Sequence, residues 1–453
     1  MSEPMNSPSS VAASAPPPVV RLPLRERARL LSAGELDPED FSAAADAWAC
    51  RADERYRACV EMRTGRAGPA GLRVGVKDSI DVAGFATRAG LSGYRRYPAR
   101  SAACLDGVPP DAIVAKLITP QLGVGIEQRC VNPYFPHLHP AGSSTGSAVA
   151  VAAHICDIAV GTDSTGSVRL PANACGVVGL RQTFTADLLN GLFEVSPLMD
   201  TPGWFARTVD DLAYAWERFT HGETPTAGDP HGMRIGVPAG WFDDCAAPIA
   251  GALGNAVKAL AESGQTLVPV ELDDLVPGRL AVWEICLRSA WDLFRRRAPY
   301  LRDTLDEPTR LALEYGASVT DDRYAELVTA LRATRGAVLD RFRRQGVALW
   351  LTPTTGRLPR DRRGMPSATS VVPDFTDPQV GRTLDSLAAA SFPGLPAITL
   401  PVAVDAEHRA PVGLQMIGPP HSEATLIRFA ETVSACVGDL DLQPQPVPAA
   451  EAE

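Results

Sequence analysis

Two turns rich in serine, glycine and threonine, residues 141–147 and 161–167, bracket an apolar segment of small residues within AGSSTGSAVAVAAHICDIAVGTDSTGSVRLP. Small residues let backbone approach backbone or ligand closely, and serine hydroxyls can serve as nucleophile or proton relay. The same composition also suits two plain turns flanking a buried helix. Upstream, Val74-Gly75-Val76-Lys77-Asp78 sets one lysine inside an apolar strand. The chain has only three lysines, Lys77, Lys116 and Lys258, against forty arginines. Where charge alone matters this sequence writes arginine, so a lysine kept in an apolar strand points to a task arginine cannot do, the loss of its proton. Burial lowers a lysine's pKa and would make it a base near neutral pH. An ordinary ion pair with Asp78 or Asp81 is the alternative, and the residues alone leave the two level.

Taken together, these segments resemble the amidase signature family, whose Ser–cis-Ser–Lys triad lies on such stretches. The resemblance implies Ser167 as nucleophile, Ser143 on a cis peptide after Gly142 as relay, and Lys77 as base. The 24-residue separation of Ser143 and Ser167 fits it. It further implies an oxyanion hole made by the backbone N–H groups of Ser164, Thr165, Gly166 and Ser167, with Ser144, Asp163 and Arg169 in support. The chain departs from the family pattern at Thr145 and Thr165, where relatives carry glycine. The branched side chain of Thr165 is expected to crowd the hole and to tolerate a positive φ poorly. Asp111 to Leu122 (DAIVAKLITPQL) resembles the family's short helix after the lysine strand. The family strand and long loop that should follow then look absent or shortened before Asn132-Pro133, which implies an altered substrate pocket.

Composition narrows the class. At 453 residues, 45% apolar and 21% charged, the chain can bury a large core. A net charge of −10 and the lack of a basic patch argue against nonspecific nucleic-acid binding. No apolar run reaches the roughly 18 residues of a membrane span. The first twenty residues lack a basic and an apolar signal region and read as a disordered tail. Nine scattered cysteines without CxxC spacing read as reduced thiols of a cytoplasmic protein, with Cys156 and Cys175 in packing positions. His137 and His139 flank a proline-rich turn; neither a metal nor another cofactor is expected.

The elements around these residues follow an α/β pattern. Residues 24–62 read as helical with a solvated Arg/Glu face, Asp37 and Pro38 marking a helix start. Residues 72–84 read as a strand, a break and a second strand. Residues 173–180 lead into a buried strand, and in 199–212 Thr208 caps a helix with Asp210 and Asp211 in its first turn. Residues 233–272 form a βαβ-like unit. Residues 278–345 are mostly helical, with Trp283, Trp291, Phe294 and Tyr300 as core or as the lining of a substrate entrance. An apolar strand over 348–353, a proline-rich loop over 356–377, then a helix, two strands and a last helix over 423–437 complete the chain. The expected architecture is a single large α/β domain, residues 21–440, with a central mixed β-sheet flanked by helices, between disordered tails at 1–20 and 441–453.

The function this implies is hydrolysis of a small-molecule carboxamide through an acyl-enzyme. Acyl transfer in a biosynthetic pathway and a catalytically dead scaffold are the alternatives, and the fold also resembles the glutaminase subunit of tRNA-dependent amidotransferases. The implied partner is a small-molecule amide, with no nucleic acid and no membrane; a homodimer stays open.

Overall fold

Short apolar runs separated by glycine and proline turns pair edge to edge in the computed structural model, which describes residues 15–219, 232–364, 377–438 and 440–444. Among these residues eleven strands form one sheet. They are β1 (Cys59–Met62), β2 (Val74–Lys77), β3 (Ile113–Leu117), β4 (Ile158–Asp163), β5 (Val178–Arg181) and β6 (Thr201–Ala206), followed by β7 (Arg234–Pro238), β8 (Thr266–Val270), β9 (Leu349–Pro353), β10 (Ala397–Asp405) and β11 (Ala410–Ile417). The spatial order is β1-β3-β2-β4-β6-β5-β10-β11-β9-β7-β8. β2 runs parallel to β3 and β4, β9 and β8 run parallel to β7, and the remaining pairs are antiparallel, so the sheet is mixed. The chain is one domain with a large mixed sheet flanked by helices.

The middle strands β2 to β6 are buried along their whole length. A strand covered on both faces reads as a continuous apolar run without alternation. On one face pack the helices Thr145–Ala152 and Pro38–Tyr56, with Trp48, Phe41 and Tyr56 in the core. On the other, helices Val209–Phe219, Ala247–Glu262 and Glu423–Val437 cover Val74, Val160, Leu180 and Leu414. Helices Ala281–Arg297, Glu307–Ser318 and Asp321–Gln345 account for most of 278–345.

Several expectations need correction. Residues 113–117 of DAIVAKLITPQL are strand β3, and only short turns of 3-10 helix flank it, at Pro110–Ala112 and Gln121–Gly123. Val114, Ala115 and Leu117 are β-formers or small, and β2 offers an open parallel edge; a family helix there would leave that edge unpaired. The second strand at Ile80 and Val82 shrinks to one bridge between Ile80 and Leu192. The Arg/Glu face of 24–62 is not wholly solvated: Arg27 is buried and its Nη2 lies 2.5 Å from Asp157 Oδ2. Packed structure also begins before residue 21, since Pro18–Arg21 forms a helical turn with Val20 buried. Residues 1–14 and 445–453 of the expected tails, and 365–376 of the proline-rich loop, lie outside the described residues.

One close approach fixes the helix Thr145–Ala152 against the sheet. Gly146 N–H donates to the Ile118 carbonyl at 3.0 Å. A Cβ on Gly146 would stand 2.5 Å from the Ala58 oxygen and from Ile118 N. Both obstacles are backbone, so neither can step aside cheaply. Gly146→Ala is therefore expected to lower stability by about 1–3 kcal/mol. The measurement is the urea midpoint at unchanged slope, and an unchanged midpoint would show that helix and strand can part freely.

Candidate active site

Lys77 ends β2, and the register Val76↔Val160 brings its side chain level with the end of β4. The ammonium group is buried, 1% exposed, and Nζ donates to Ser143 Oγ and to Thr162 Oγ1, both at 2.9 Å. The ion-pair alternatives are taken elsewhere. Asp78 lies 3.6 Å from Arg88 and 3.9 Å from Lys116, whereas Asp81 pairs with Arg96 at 2.9 Å and accepts the Thr87 hydroxyl at 2.7 Å. Burial is the largest influence on Lys77 and pulls its pKa down to about 7; Asp200 and Asp163 oppose it. Lys116, the other buried lysine, donates to the Ile80 carbonyl and is lowered to about 8 by burial. Scarcity of lysine thus marked two buried amines, of which only Lys77 meets serine.

Ser143 follows a cis peptide bond with Gly142. Its carbonyl accepts from Thr119 Oγ1 at 2.9 Å. Ser144 ties the two serine turns together: its N–H donates to the Ser167 carbonyl at 3.1 Å, and its Oγ donates to the Thr162 carbonyl at 3.1 Å and accepts from Thr162 N at 3.3 Å. Thr145 closes the first turn by donating its hydroxyl to the Ala141 carbonyl at 2.8 Å. His139 braces the same turn. Its Nδ1 accepts from Ala141 N–H at 3.0 Å and its Nε2 meets the Glu127 carbonyl at 2.7 Å, so Nε2 carries the proton. Burial lowers its pKa and keeps the ring neutral. His137 bonds instead to the His408 carbonyl at 3.0 Å.

The second turn is shaped by Asp163, wholly buried. Its Oδ1 accepts from Gly166 N–H at 2.9 Å, Arg169 Nη2 at 3.0 Å and Arg181 Nη1 at 2.9 Å. Its Oδ2 accepts from Val168 N–H at 3.0 Å and Arg169 Nε at 3.1 Å. Burial opposes its charge, yet the guanidiniums of Arg169 and Arg181 prevail and hold the carboxyl well below the usual range. This carboxylate also divides the amides expected to form the oxyanion hole. The Gly166 N–H is spent on Asp163, whereas the N–H groups of Ser164, Thr165 and Ser167 have no partner among the described residues. Thr165 is not strained either: the positive φ, 120°, falls on Gly166, and in the first turn it falls on Ala141, at 57°.

Asp200, at the start of the 199–212 segment, carries more weight than its sequence context showed. Its Oδ2 accepts from Val195 N–H at 2.6 Å and Ser196 N–H at 3.1 Å, and its Oδ1 accepts the Ser164 hydroxyl. Burial raises its pKa to about 6, against the pull of those donors and of Lys77. The signal that could have found it is the one used for lysine, an ionisable residue beside a buried strand. Thr208 caps its helix: its Oγ1 accepts from Asp211 N–H at 3.1 Å.

A cavity of about 280 Å³ opens over these turns, with Ser143, Ser164, Thr165 and Ser167 on its wall. Ser167 is half-buried. Of the aromatic stripe in 278–345, Trp283 lines the cavity, Phe294 is core, and Tyr300 is exposed. Cys156 and Cys175 are buried, with thiols pushed up by burial, which fits packing. Among the described residues no group of three or more His, Cys, Asp or Glu could hold a metal ion, and no helix is long and apolar enough to cross a membrane. A low-pKa amine within reach of a serine hydroxyl, a second serine on the same cavity wall and unpartnered amides nearby are the parts that acyl transfer to serine requires.

A family model described as Amidase matches residues 38–427. The chain belongs to the amidase family, and it is an amidohydrolase. It is 34% identical over 329 residues to 2-amino-5-chloromuconic acid deaminase of Comamonas testosteroni, covering 68% of this chain and 67% of that one. It is 26% identical to mandelamide hydrolase of Pseudomonas putida, covering 81% and 78%. In fold it is similar to the solved structure of 6-aminohexanoate cyclic dimer hydrolase, with a TM-score of 0.78, 22% identity, and 95% and 99% coverage.

The three lysines make the electrostatics directly measurable. In a protein with isotope-labelled lysine Cε, the Lys77 resonance is expected to titrate near pH 7, since its pKa is lowered to about 7. Asp200→Asn removes a negative charge that favours the protonated amine, so the Lys77 midpoint should fall. A midpoint near the free-lysine value, or one that rises in Asp200→Asn, would contradict this picture.

Proposed function

We propose that this protein hydrolyses a small-molecule carboxamide by way of an acyl-enzyme on Ser167. The observation that carries the reading is the buried Lys77 amine, 2.9 Å from Ser143 Oγ, beside the cavity that Ser143 shares with Ser167. Serine is inert at neutral pH unless a base takes its proton. With its pKa lowered to about 7, Lys77 is in part an uncharged amine at neutral pH and can turn its lone pair to Ser143.

In the first step Ser167 Oγ attacks the amide carbonyl carbon. Its proton passes to Ser143 Oγ, while the Ser143 proton passes to Lys77 Nζ. The carbonyl oxygen becomes an oxyanion, which the N–H groups of Ser164, Thr165 and Ser167 can stabilise. One such donor is commonly worth about a hundredfold to a thousandfold in rate. Collapse of the tetrahedral adduct breaks the C–N bond; the leaving nitrogen takes a proton from Ser143, which is reprotonated by Lys77. Water then attacks the ester by the same relay, releasing the acid and restoring Ser167. The relatives named mandelamide hydrolase and indoleacetamide hydrolase support amide cleavage as the reaction class.

Intact-protein mass after treatment with a fluorophosphonate is expected to show one adduct on the wild type and none on Ser167→Ala. Labelling of both to the same extent would remove Ser167 as nucleophile. Lys77→Arg keeps the charge but cannot give up its proton, so amide hydrolysis should vanish; near wild-type turnover would overturn the base assignment. Ser143→Ala should lose on the order of a hundredfold or more, the scale of general acid–base catalysis. A loss limited to about threefold would show that no proton passes through it.

A further inference from the structure

The cavity above Ser167 has apolar side chains on its wall, among them Trp283, Leu287, Leu384 and Leu387. Part of the wall is charged. Arg357 and Arg360 line it, and among the described residues neither guanidinium donates to a carboxylate or a carbonyl. Glu127 is the one acidic residue on the wall, and it is already neutralised: Arg129 Nε and Nη2 reach its two oxygens at 2.9 and 2.8 Å, and Arg129 N–H donates at 2.7 Å. His139 is neutral, held by backbone on both ring nitrogens. Asp377, the acidic group that acts on Arg357 from outside the cavity, has its Oδ1 engaged by Gln379 N–H at the start of helix Pro378–Ser391. The wall thus carries two guanidiniums, half-buried Arg357 and exposed Arg360, without a hydrogen-bonded acidic partner among the described residues.

A guanidinium taken partly out of water without a partner is costly, and this one is also set near a like charge. Burial and then Arg360 pull the Arg357 pKa down, which agrees with that placement. The fully buried arginines are paired with carboxylates, as at Arg169 and Arg181 with Asp163. An unpaired cation on a ligand cavity is what recognition of an anion needs.

We infer that the substrate is a carboxamide carrying a carboxylate at its far end, a monoamide of a dicarboxylic acid, with Arg357 and Arg360 reading the carboxylate while the amide carbon sits at Ser167. This rests on the hydrolase reading for the amide end only; the anion site stands on Arg357 and Arg360.

The test is calorimetric titration of Ser167→Ala with terephthalamic acid and glutaramic acid, each beside its uncharged diamide. The acids differ from the diamides only at the far end. At least one acid is expected to bind about tenfold or more tightly than its diamide, the usual worth of a charge-assisted pair. That preference should fall toward unity when Arg357→Gln is added, and further with Arg360→Gln. Equal binding of acid and diamide for both pairs, or a preference that survives loss of both arginines, would overturn the inference. Ammonia release by the wild type separates the two readings. Equal kcat/KM for acids and diamides would leave the hydrolase reading and remove the carboxylate site. Arginine-dependent binding of the acids by a protein that releases ammonia from neither would uphold the site and overturn the hydrolysis.

Discussion

Much of the site hangs on one buried charge, the Asp163 carboxylate between Arg169 and Arg181. It stands at the end of β4 and takes N–H groups from Gly166 and Val168, so the turn carrying Ser167 is folded around it. The guanidiniums then spread outward. Arg169 reaches the Leu387 carbonyl, Gln415 and Ser391, and Arg181 reaches the Leu395 and Met199 carbonyls. A single ion cluster therefore joins the turn carrying Ser167 to β11, to helix Pro378–Ser391 and to the segment that presents Asp200. Removing one member of such a buried cluster typically costs about 3–5 kcal/mol, because the partners are left charged without compensation.

A second balance sets the proton affinity of Lys77. Burial alone would push its amine far toward neutrality, and the nearby carboxylates Asp200 and Asp163 hold it back, leaving it near 7. The two carboxylates are not equivalent. Asp163 stays ionised because two arginines compensate it, whereas Asp200 has hydrogen-bond donors but, among the described residues, no cation in contact, and is raised to about 6. Lys77 is thus poised by one constant charge and one that titrates just below neutrality.

Much of the site could be read from residue types. Lys77 stood out because lysine is scarce here, and the serine turns stood out because small residues and hydroxyls cluster at fixed spacing. The resemblance to the amidase signature family then joined segments that the chain separates by some ninety residues. Reading failed where a segment's role depends on its neighbours. DAIVAKLITPQL carries no strong period, and pairing with β1 and β2 makes Ile113–Leu117 a strand. Concern over Thr165 arose from counting glycines in a motif, whereas the left-handed backbone falls on Gly166. Asp200 stayed unremarked because helix capping by Thr208 already explained its segment.

By itself the sequence determined the mixed α/β character, the small-residue turns and the identities of the groups able to do chemistry, since these follow from local composition and spacing. The tertiary structure decided how those groups behave. Burial of Lys77 beneath the sheet's end lowers its pKa, the ladder beside β4 puts its amine on Ser143, and Asp163 uses up the Gly166 N–H. Likewise Arg357 and Arg360, two of forty arginines in the sequence, differ from most of the rest only because the fold sets them on a cavity wall without an acidic partner among the described residues. Proton affinity and charge balance depend on which groups share a low-dielectric space, and that is a property of the packed chain.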